Sequence, residues 1–164
     1  MKTLLLLRHA KSSWTDPDLQ DFERPLNQRG RRAAPLIGRF ILQEGFVPDM
    51  ILSSPAERAR QTIALIVEAA HLAGELRYDE RIYEASAESL LEVISQAEDR
   101  FATLLLVGHN PGMEDLLLLL SGETGRMPTS ALAAITFDTE KWGKVKEHKG
   151  RLKSLTTPKD LPDY

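Results

Sequence analysis

Four side chains that could hold and transfer a phosphoryl group follow short apolar runs. Arg8 and His9 come directly after Leu4–Leu7. Ser53 and Ser54 come after Met50-Ile51-Leu52, with Arg58 four residues beyond. Gly108 and His109 come after Leu104-Leu105-Leu106-Val107, and Asn110-Pro111 follows at once. A guanidinium can donate parallel hydrogen bonds to phosphate oxygens, and a neutral imidazole can attack phosphorus to give a phosphohistidine. The attacking ring nitrogen must be unprotonated, which a hydrogen bond from the other ring nitrogen to a backbone carbonyl secures. His9 sits where a strand would end and such carbonyls are at hand. Taken alone, His9 reads as a satisfied interior histidine and Arg58 as a solvated helix arginine; the joint arrangement is what points to chemistry. No Gly-rich run ends in Gly-Lys-Ser or Gly-Lys-Thr, so P-loop nucleotide chemistry is not expected. The chain contains no cysteine, which removes a cysteine nucleophile, disulfides and thiolate zinc sites.

The apolar runs are the elements that must position these groups. Each reads as a strand buried on both faces of a parallel sheet. Ala131–Phe137 is a longer, mixed strand, and Lys144–His148 is expected to pair beside it as an edge hairpin. Between them lie helical patterns. Asn27 caps a helix with Ala33, Ala34, Ile37, Phe40 and Ile41 on one face and Pro35 as a kink. Ser54-Pro55-Ala56-Glu57 reads as a capping box opening a helix with Thr62, Ile63, Ile66, Val67 and Ala70 as its stripe. Ser86 caps a third helix running to about Asp99, and Asn110-Pro111 opens a fourth that ends near Gly122. Strands alternating with helices predict a layered α/β fold with a largely parallel sheet. Such sheets bind ligands beyond the carboxyl ends of their strands, and helix N-termini there favour an anion. Arg8, His9, Arg58 and His109 would therefore line one electropositive pocket.

The 164 residues are expected to form a single domain, 1–164. There are 21 Lys and Arg against 24 Asp and Glu, a formal charge of −3 that gives nucleic acid little to bind. Leu4–Leu7 is too short for the roughly 7–15-residue apolar core of a signal peptide. Leu116–Leu120 is far short of the about 20 apolar residues of a membrane span and reads as core. No membrane or nucleic-acid partner is expected, and the composition fits a reducing cytoplasm.

Arg8-His9-Ala10, the Ser54–Thr62 stretch and Gly108-His109 resemble, in order, the three signatures of the histidine phosphatase, or phosphoglycerate mutase-like, superfamily. Arg24-Pro25-Leu26-Asn27, Tyr83-Glu84-Ala85-Ser86 and Thr129-Ser130-Ala131 narrow the resemblance to the SixA-type phosphohistidine phosphatases. It covers nearly the whole chain. The resemblance implies a three-layer αβα sandwich of phosphoglycerate mutase-like type, its central sheet largely parallel with an antiparallel edge strand. His9 would be the nucleophile, with Arg8, Arg58 and His109 completing the catalytic core and binding phosphate. Lys11 and Ser12 are added as phosphate-binding candidates and Glu84 as a candidate general acid. No metal or organic cofactor is implied, and the chain is expected to act as a monomer.

The expected substrate is phosphohistidine on a protein. The alternative is a small phosphate ester, for which Glu84 would protonate the leaving group; the third reading is a non-catalytic module that recognises phosphate. Ala10 stands where many relatives have glycine, and the loop Lys11-Ser12-Ser13-Trp14 also departs from theirs. Ser53 and Thr129 lie near the motifs with open roles. His71 and His148 read as structural or surface residues, and Arg29-Gly30-Arg31-Arg32 as a solvated helix start, though arginine there opposes the helix dipole. Trp14 and Trp142 are candidates to flank a binding surface. Leu155–Tyr164 reads as an extended surface tail.

Overall fold

The computed structural model describes residues 1–147 and 149–164. Its strands are β1 (Lys2–Arg8), β2 (Met50–Ser53), β3 (Glu75–Tyr78), β4 (Thr103–Gly108), β5 (Leu132–Phe137) and β6 (Arg151–Thr156). The helices are α1 (Gln28–Gln43), α2 (Glu57–Ala70), α3 (Ala87–Ser95) and α4 (Gly112–Ser121). The six strands form one sheet in the order β3-β2-β4-β1-β5-β6, with β3, β2, β4 and β1 mutually parallel and β5 antiparallel to both its neighbours.

Successive side chains of a strand point to opposite faces, and here both faces are covered. Leu4, Leu6, Met50, Leu52, Leu104 and Leu106 pack against Leu90, Val93 and Ile94 of α3 and Met113, Leu116 and Leu117 of α4. Leu5, Leu7, Ile51, Leu105 and Val107 pack on the other side against Ala34, Ile37 and Ile41 of α1 and Ala59, Ile63 and Ile66 of α2. That is why these strands read as unbroken apolar runs, and it is the three-layer αβα arrangement.

The helix signals are placed with some adjustment. Asn27 caps α1, its side chain accepting from the Gly30 N–H at 2.9 Å, and the helix runs through Pro35. Ser86 caps α3 by accepting from the Ser89 N–H at 3.1 Å, but the helix stops at Ser95 rather than near Asp99. α4 ends at Gly122, which takes φ 75. His71 ends α2 at φ 52 and is exposed. Ser54 does not cap α2: the helix begins at Glu57 behind Ala56, with no side-chain cap.

Two assignments near the C-terminus are corrected. Residues 142–147 form a 3-10 helix, and the strand beside β5 is Arg151–Thr156, so Leu155 and Thr156 belong to the sheet and not to a tail. His148, the end of the expected hairpin, lies outside the described residues. Trp142 causes the difference. It is fully buried, its indole N–H donates to the Phe101 carbonyl at 2.8 Å, and Val145 is buried three residues on, the period of a 3-10 turn and not of a strand. Trp142 therefore flanks no binding surface. β3 was not expected; its four residues are all exposed and carry no buried alternation.

α1 meets the loop after β1 with almost no clearance. A Cβ on Gly30 would lie 2.3 Å from the Lys11 carbonyl oxygen, which accepts the Asn27 N–H at 2.9 Å. Gly30→Ala must push that loop away, at about 1–3 kcal/mol, and is expected to lower Tm by several degrees in calorimetry. Gly143→Ala, whose new Cβ meets only the Ser95 carbonyl oxygen at 3.7 Å, should leave Tm unchanged. Equal Tm values for the two variants would contradict the packing described.

Candidate active site

The carboxyl ends of β2, β4 and β1 lie side by side and nearly level. Arg8 stands in register with Gly108, and Ser53 with Val107. The residue after each strand stays tied to the sheet: His9 N–H donates to the Gly108 carbonyl at 3.1 Å and Ser54 N–H to the Val107 carbonyl at 3.0 Å. The imidazoles of His9 and His109 thus face each other with centroids 5.0 Å apart, and the Tyr83 ring meets His109 edge-on at 5.4 Å.

His9 is 5% exposed, and both of its ring nitrogens are committed. Nδ1 lies 2.7 Å from the Ala10 carbonyl oxygen, which can only accept, so the proton sits on Nδ1 and Nε2 keeps its lone pair. Nε2 accepts from the Arg58 Nε–H at 3.3 Å. Burial chiefly, joined by the charges of Arg58 and Arg8, pushes the His9 pKa down to about 4, against the opposing pull of the Ala10 carbonyl. The Ala10 N–H is held in turn by Thr62 Oγ1 of α2 at 2.9 Å, so this helix fixes the carbonyl that fixes the tautomer.

His109 is oriented by Ser54. Ser54 Oγ accepts from the Ala56 N–H at 3.2 Å and pairs with His109 Nε2 at 2.7 Å. His109 Nδ1 is buried and has no hydrogen-bond partner among the described residues. Burial first, then the neighbouring His9 and Arg58, pushes the His109 pKa down to about 3. Ser54 is thus engaged with His109 and the turn, which explains why it does not cap α2.

Arg58 has a counterion that the sequence did not reveal. Its Nη1 donates to the Asp21 carbonyl at 2.7 Å and its Nη2 to the Asp21 carboxylate at 3.0 Å. The same carboxylate oxygen accepts from the Tyr83 hydroxyl at 2.6 Å. These two bonds, the Tyr83 one foremost, hold the Asp21 carboxyl below its ordinary range. Burial and the Asp21 carboxylate push Tyr83 up to about 12. Asp21 sits in a short 3-10 turn in the long loop between β1 and α1, three residues before Arg24; nothing in its spacing from Arg58 marks it as that residue's counterion.

Near the strand ends three buried polar atoms have no hydrogen-bond partner among the described residues: Arg8 Nε, His109 Nδ1 and Ser130 Oγ. Ser130 takes φ 64, and its N–H is shared between the Arg8 and His9 carbonyls at 3.1 Å each. Arg8 is anchored at its other end, Nη1 donating to the Met127 carbonyl at 3.2 Å. Buried polar atoms are paired in folded proteins, so this set is open to a ligand, and an oxyanion has the chemistry to pair with the Arg8 guanidinium and the Ser130 hydroxyl.

The structure brings Arg8, His9, Arg58 and His109 together. Lys11 and Ser12 form no hydrogen bond or ion pair with them. Lys11 is exposed, and Ser12 is buried on an isolated bridge to Leu26. Ser53 is fully buried and its hydroxyl donates to the Ser54 carbonyl at 2.9 Å, a structural role. Glu84 is exposed and strained at φ 53, near enough to the Tyr83 hydroxyl for its charge to add to the raised Tyr83 pKa. Trp14 is exposed and lies beneath the Arg24 guanidinium, 3.6 Å from its ring centroid.

Residues 4–121 match the family described as Histidine phosphatase superfamily (branch 1). An uncharacterized protein of Mycobacterium tuberculosis is 35% identical over 140 residues, spanning 79% of this chain and 85% of that one. The structure of Agrobacterium tumefaciens SixA, provisionally described as a phosphohistidine phosphatase, superimposes with a TM-score of 0.83 at 33% identity, covering 96% of this chain and 98% of that one. The protein histidine phosphatase SixA in complex with tungstate shares the fold, with a TM-score of 0.80 at 21% identity and coverage of 96% and 98%.

Both imidazole pKa values lie below the ordinary 6.5, so between that value and the lowered ones the unfolded chain binds more protons than the folded one. The stability contributed by the neutral rings is complete above about pH 6.5 and is lost as pH falls toward 4. Imidazole NMR of the anion-free protein should show His9 and His109 still neutral at pH 5.5, His9 as the Nδ1–H tautomer, while the urea midpoint declines below pH 6. Protonation of either ring near pH 6.5 would contradict the geometry.

Proposed function

This chain belongs to the histidine phosphatase superfamily and is of the SixA type, and from that premise we propose that it hydrolyses phosphohistidine on a protein through a phospho-His9 intermediate. The observation that carries the reading is the lone pair held on His9 Nε2 by the Nδ1–Ala10 bond, at the centre of the Arg8, Arg58 and His109 donors. The likeness at 33% identity to the Agrobacterium SixA supports the choice of substrate.

In the proposed sequence, phosphoryl oxygens take the donors of Arg58, Arg8 Nε and His109 Nδ1, and Arg58 Nε–H releases His9 Nε2. Nε2 attacks phosphorus; a new N–P bond forms and the N–P bond of the substrate breaks, its electron pair returning to the substrate imidazole. A phosphohistidine protonated on its other ring nitrogen leaves as neutral imidazole, so no acid is required at this step. Water then attacks phospho-His9, the P–Nε2 bond breaks, and inorganic phosphate leaves with the water protons. Three donor side chains around the transferring group, Arg58, Arg8 and His109, would supply the electrostatic stabilisation that phosphoryl transfer needs.

A second reading, hydrolysis of a small phosphate ester, is favoured by one observation: Glu84 approaches the Tyr83 hydroxyl beside the His109 ring. An alkoxide leaving group needs a proton, and Asp21, held ionised by Tyr83 and Arg58, is unsuited to give one. Glu84 is the carboxyl left for that task.

Turnover of a histidine-phosphorylated protein and of p-nitrophenyl phosphate by wild type, His9→Ala and Glu84→Gln separates these readings. Expected are cleavage of phosphohistidine, a loss of about 10⁴-fold or more in His9→Ala, little change in Glu84→Gln, and an acid-labile phosphoenzyme trapped in wild type. Preference for the ester with loss in Glu84→Gln would select the ester reading. Activity persisting in His9→Ala would remove the covalent mechanism.

A further inference from the structure

A groove of about 910 Å³ opens along α1, between that helix and the residues after β6. Five of its lining residues are cationic: Lys11, Arg29, Arg32, Arg39 and Lys159. All five are exposed. Among the described residues none of them forms an ion pair, and the groove lining holds a single acidic side chain, Asp163. In a chain of net charge −3 this is a marked local reversal.

The position of these arginines on α1 is not explained by the fold. Spacings of three and seven residues put Arg29, Arg32 and Arg39 on one face of a 3.6-residue helix, opposite the buried Ala34, Ile37 and Ile41. Arg29 and Arg32 occupy the beginning of the helix, where the backbone dipole repels cations, and the first turn contains no acidic residue to offset them. The arrangement costs folding stability on both counts. Its floor is apolar, with Leu36, Pro35 and Pro158 between the charges.

The groove is lined at one end by neighbours in sequence of the site residues, although Arg8, His9, Arg58 and His109 do not themselves line it. Lys11 lies two residues after His9, and Thr129 of the groove wall precedes Ser130, whose N–H binds the Arg8 and His9 carbonyls. A chain whose phosphohistidine occupies the site must leave along a neighbouring surface, and this one is open, positively charged and apolar at its base. We propose that the α1 groove docks an acidic, amphipathic segment flanking the phosphohistidine of a protein substrate. Carboxylates would pair with Arg29, Arg32, Arg39 and Lys159 while apolar side chains rest on Leu36. The groove thereby sets substrate preference without touching the reacting atoms. This rests on the protein-phosphatase reading. A nucleic acid is the less suitable polyanion, since the floor offers proline and leucine and not a row of aromatic faces for stacking.

Two synthetic phosphohistidine peptides of equal length, one with Asp and Glu flanks and one with Lys flanks, test the proposal. Wild type should cleave the acidic peptide with kcat/KM at least about tenfold higher, the difference lying in KM and shrinking at 0.5 M salt, as expected for exposed charges. The double variant Arg32→Glu/Arg39→Glu should lose that preference and keep its kcat/KM on p-nitrophenyl phosphate. Equal cleavage of the two peptides by wild type, or a preference unchanged in the double variant, overturns the groove. If neither peptide is cleaved, the substrate reading fails by itself, and fluorescence anisotropy of the unphosphorylated acidic peptide still decides the groove. Saturable binding abolished by the double variant supports it; no binding, or equal displacement by a single-stranded oligonucleotide, overturns it.

Discussion

Helices press on both faces of β1, β2 and β4, and that double burial governs everything else in the molecule. A polar side chain along these strands would lose its water without gaining a partner, so the chain spends leucine, isoleucine and valine there and defers chemistry to the first positions beyond. Because the three strands are adjacent, parallel and in register, their first polar residues are delivered to one place. His9 and His109 face each other because Arg8 and Gly108 are paired. Arg58 reaches them because α2 starts where β2 stops. The site is a consequence of where burial ends.

The electrostatics at that edge are balanced around neutral imidazoles. Burial and two nearby guanidinium groups disfavour protonation of either ring, which is the condition a nitrogen nucleophile needs. The His9 tautomer is set from outside the cluster by Ala10 and Thr62, and His109 is held in orientation by Ser54. Hydrogen-bonding capacity that the capping pattern assigns to a helix start is here redirected. Ser54 has the right type and spacing for a capping box, but its hydroxyl is engaged with His109, and α2 starts without a side-chain cap.

The parts of the fold legible in the sequence are those in which burial is complete. Leu4–Leu7, Met50–Leu52 and Leu104–Val107 announce themselves because both faces are covered, and Asn27 and Ser86 because a cap is a local interaction. β3 was missed because Glu75-Leu76-Arg77-Tyr78 is an exposed edge with no pattern to read. Lys144–His148 is expected to pair beside β5 as an edge hairpin, whereas Trp142 and Val145 pack into the core at a three-residue period. At the site, the four residues at strand ends and helix starts were legible, since an element boundary is a sequence feature. Asp21, Tyr83 and Ser130 carry no such boundary signal, because their relation to the cluster is set by loop paths: the Arg58–Asp21 contact spans 37 positions and the Tyr83–Asp21 contact 62.

Asp21 gives the site its reversibility. Arg58 is only 8% exposed, and a buried guanidinium with no counterion carries a large desolvation cost. With Asp21 on Nη1 and Nη2 and His9 on Nε, each nitrogen of the group has a partner before any phosphate arrives. In the proposed mechanism an arriving phosphoryl group would exchange one anion for another and not rescue an isolated charge, so its gain on binding would be the difference between two paired states. A hydrolase must release its product as well as hold its transition state. In the proposed mechanism the carboxylate that the Tyr83 hydroxyl holds in place would take Arg58 back when phosphate leaves. The same exchange would free His9 Nε2 while an anion occupies the guanidinium, so that the proposed nucleophile is uncovered by the presence of its target.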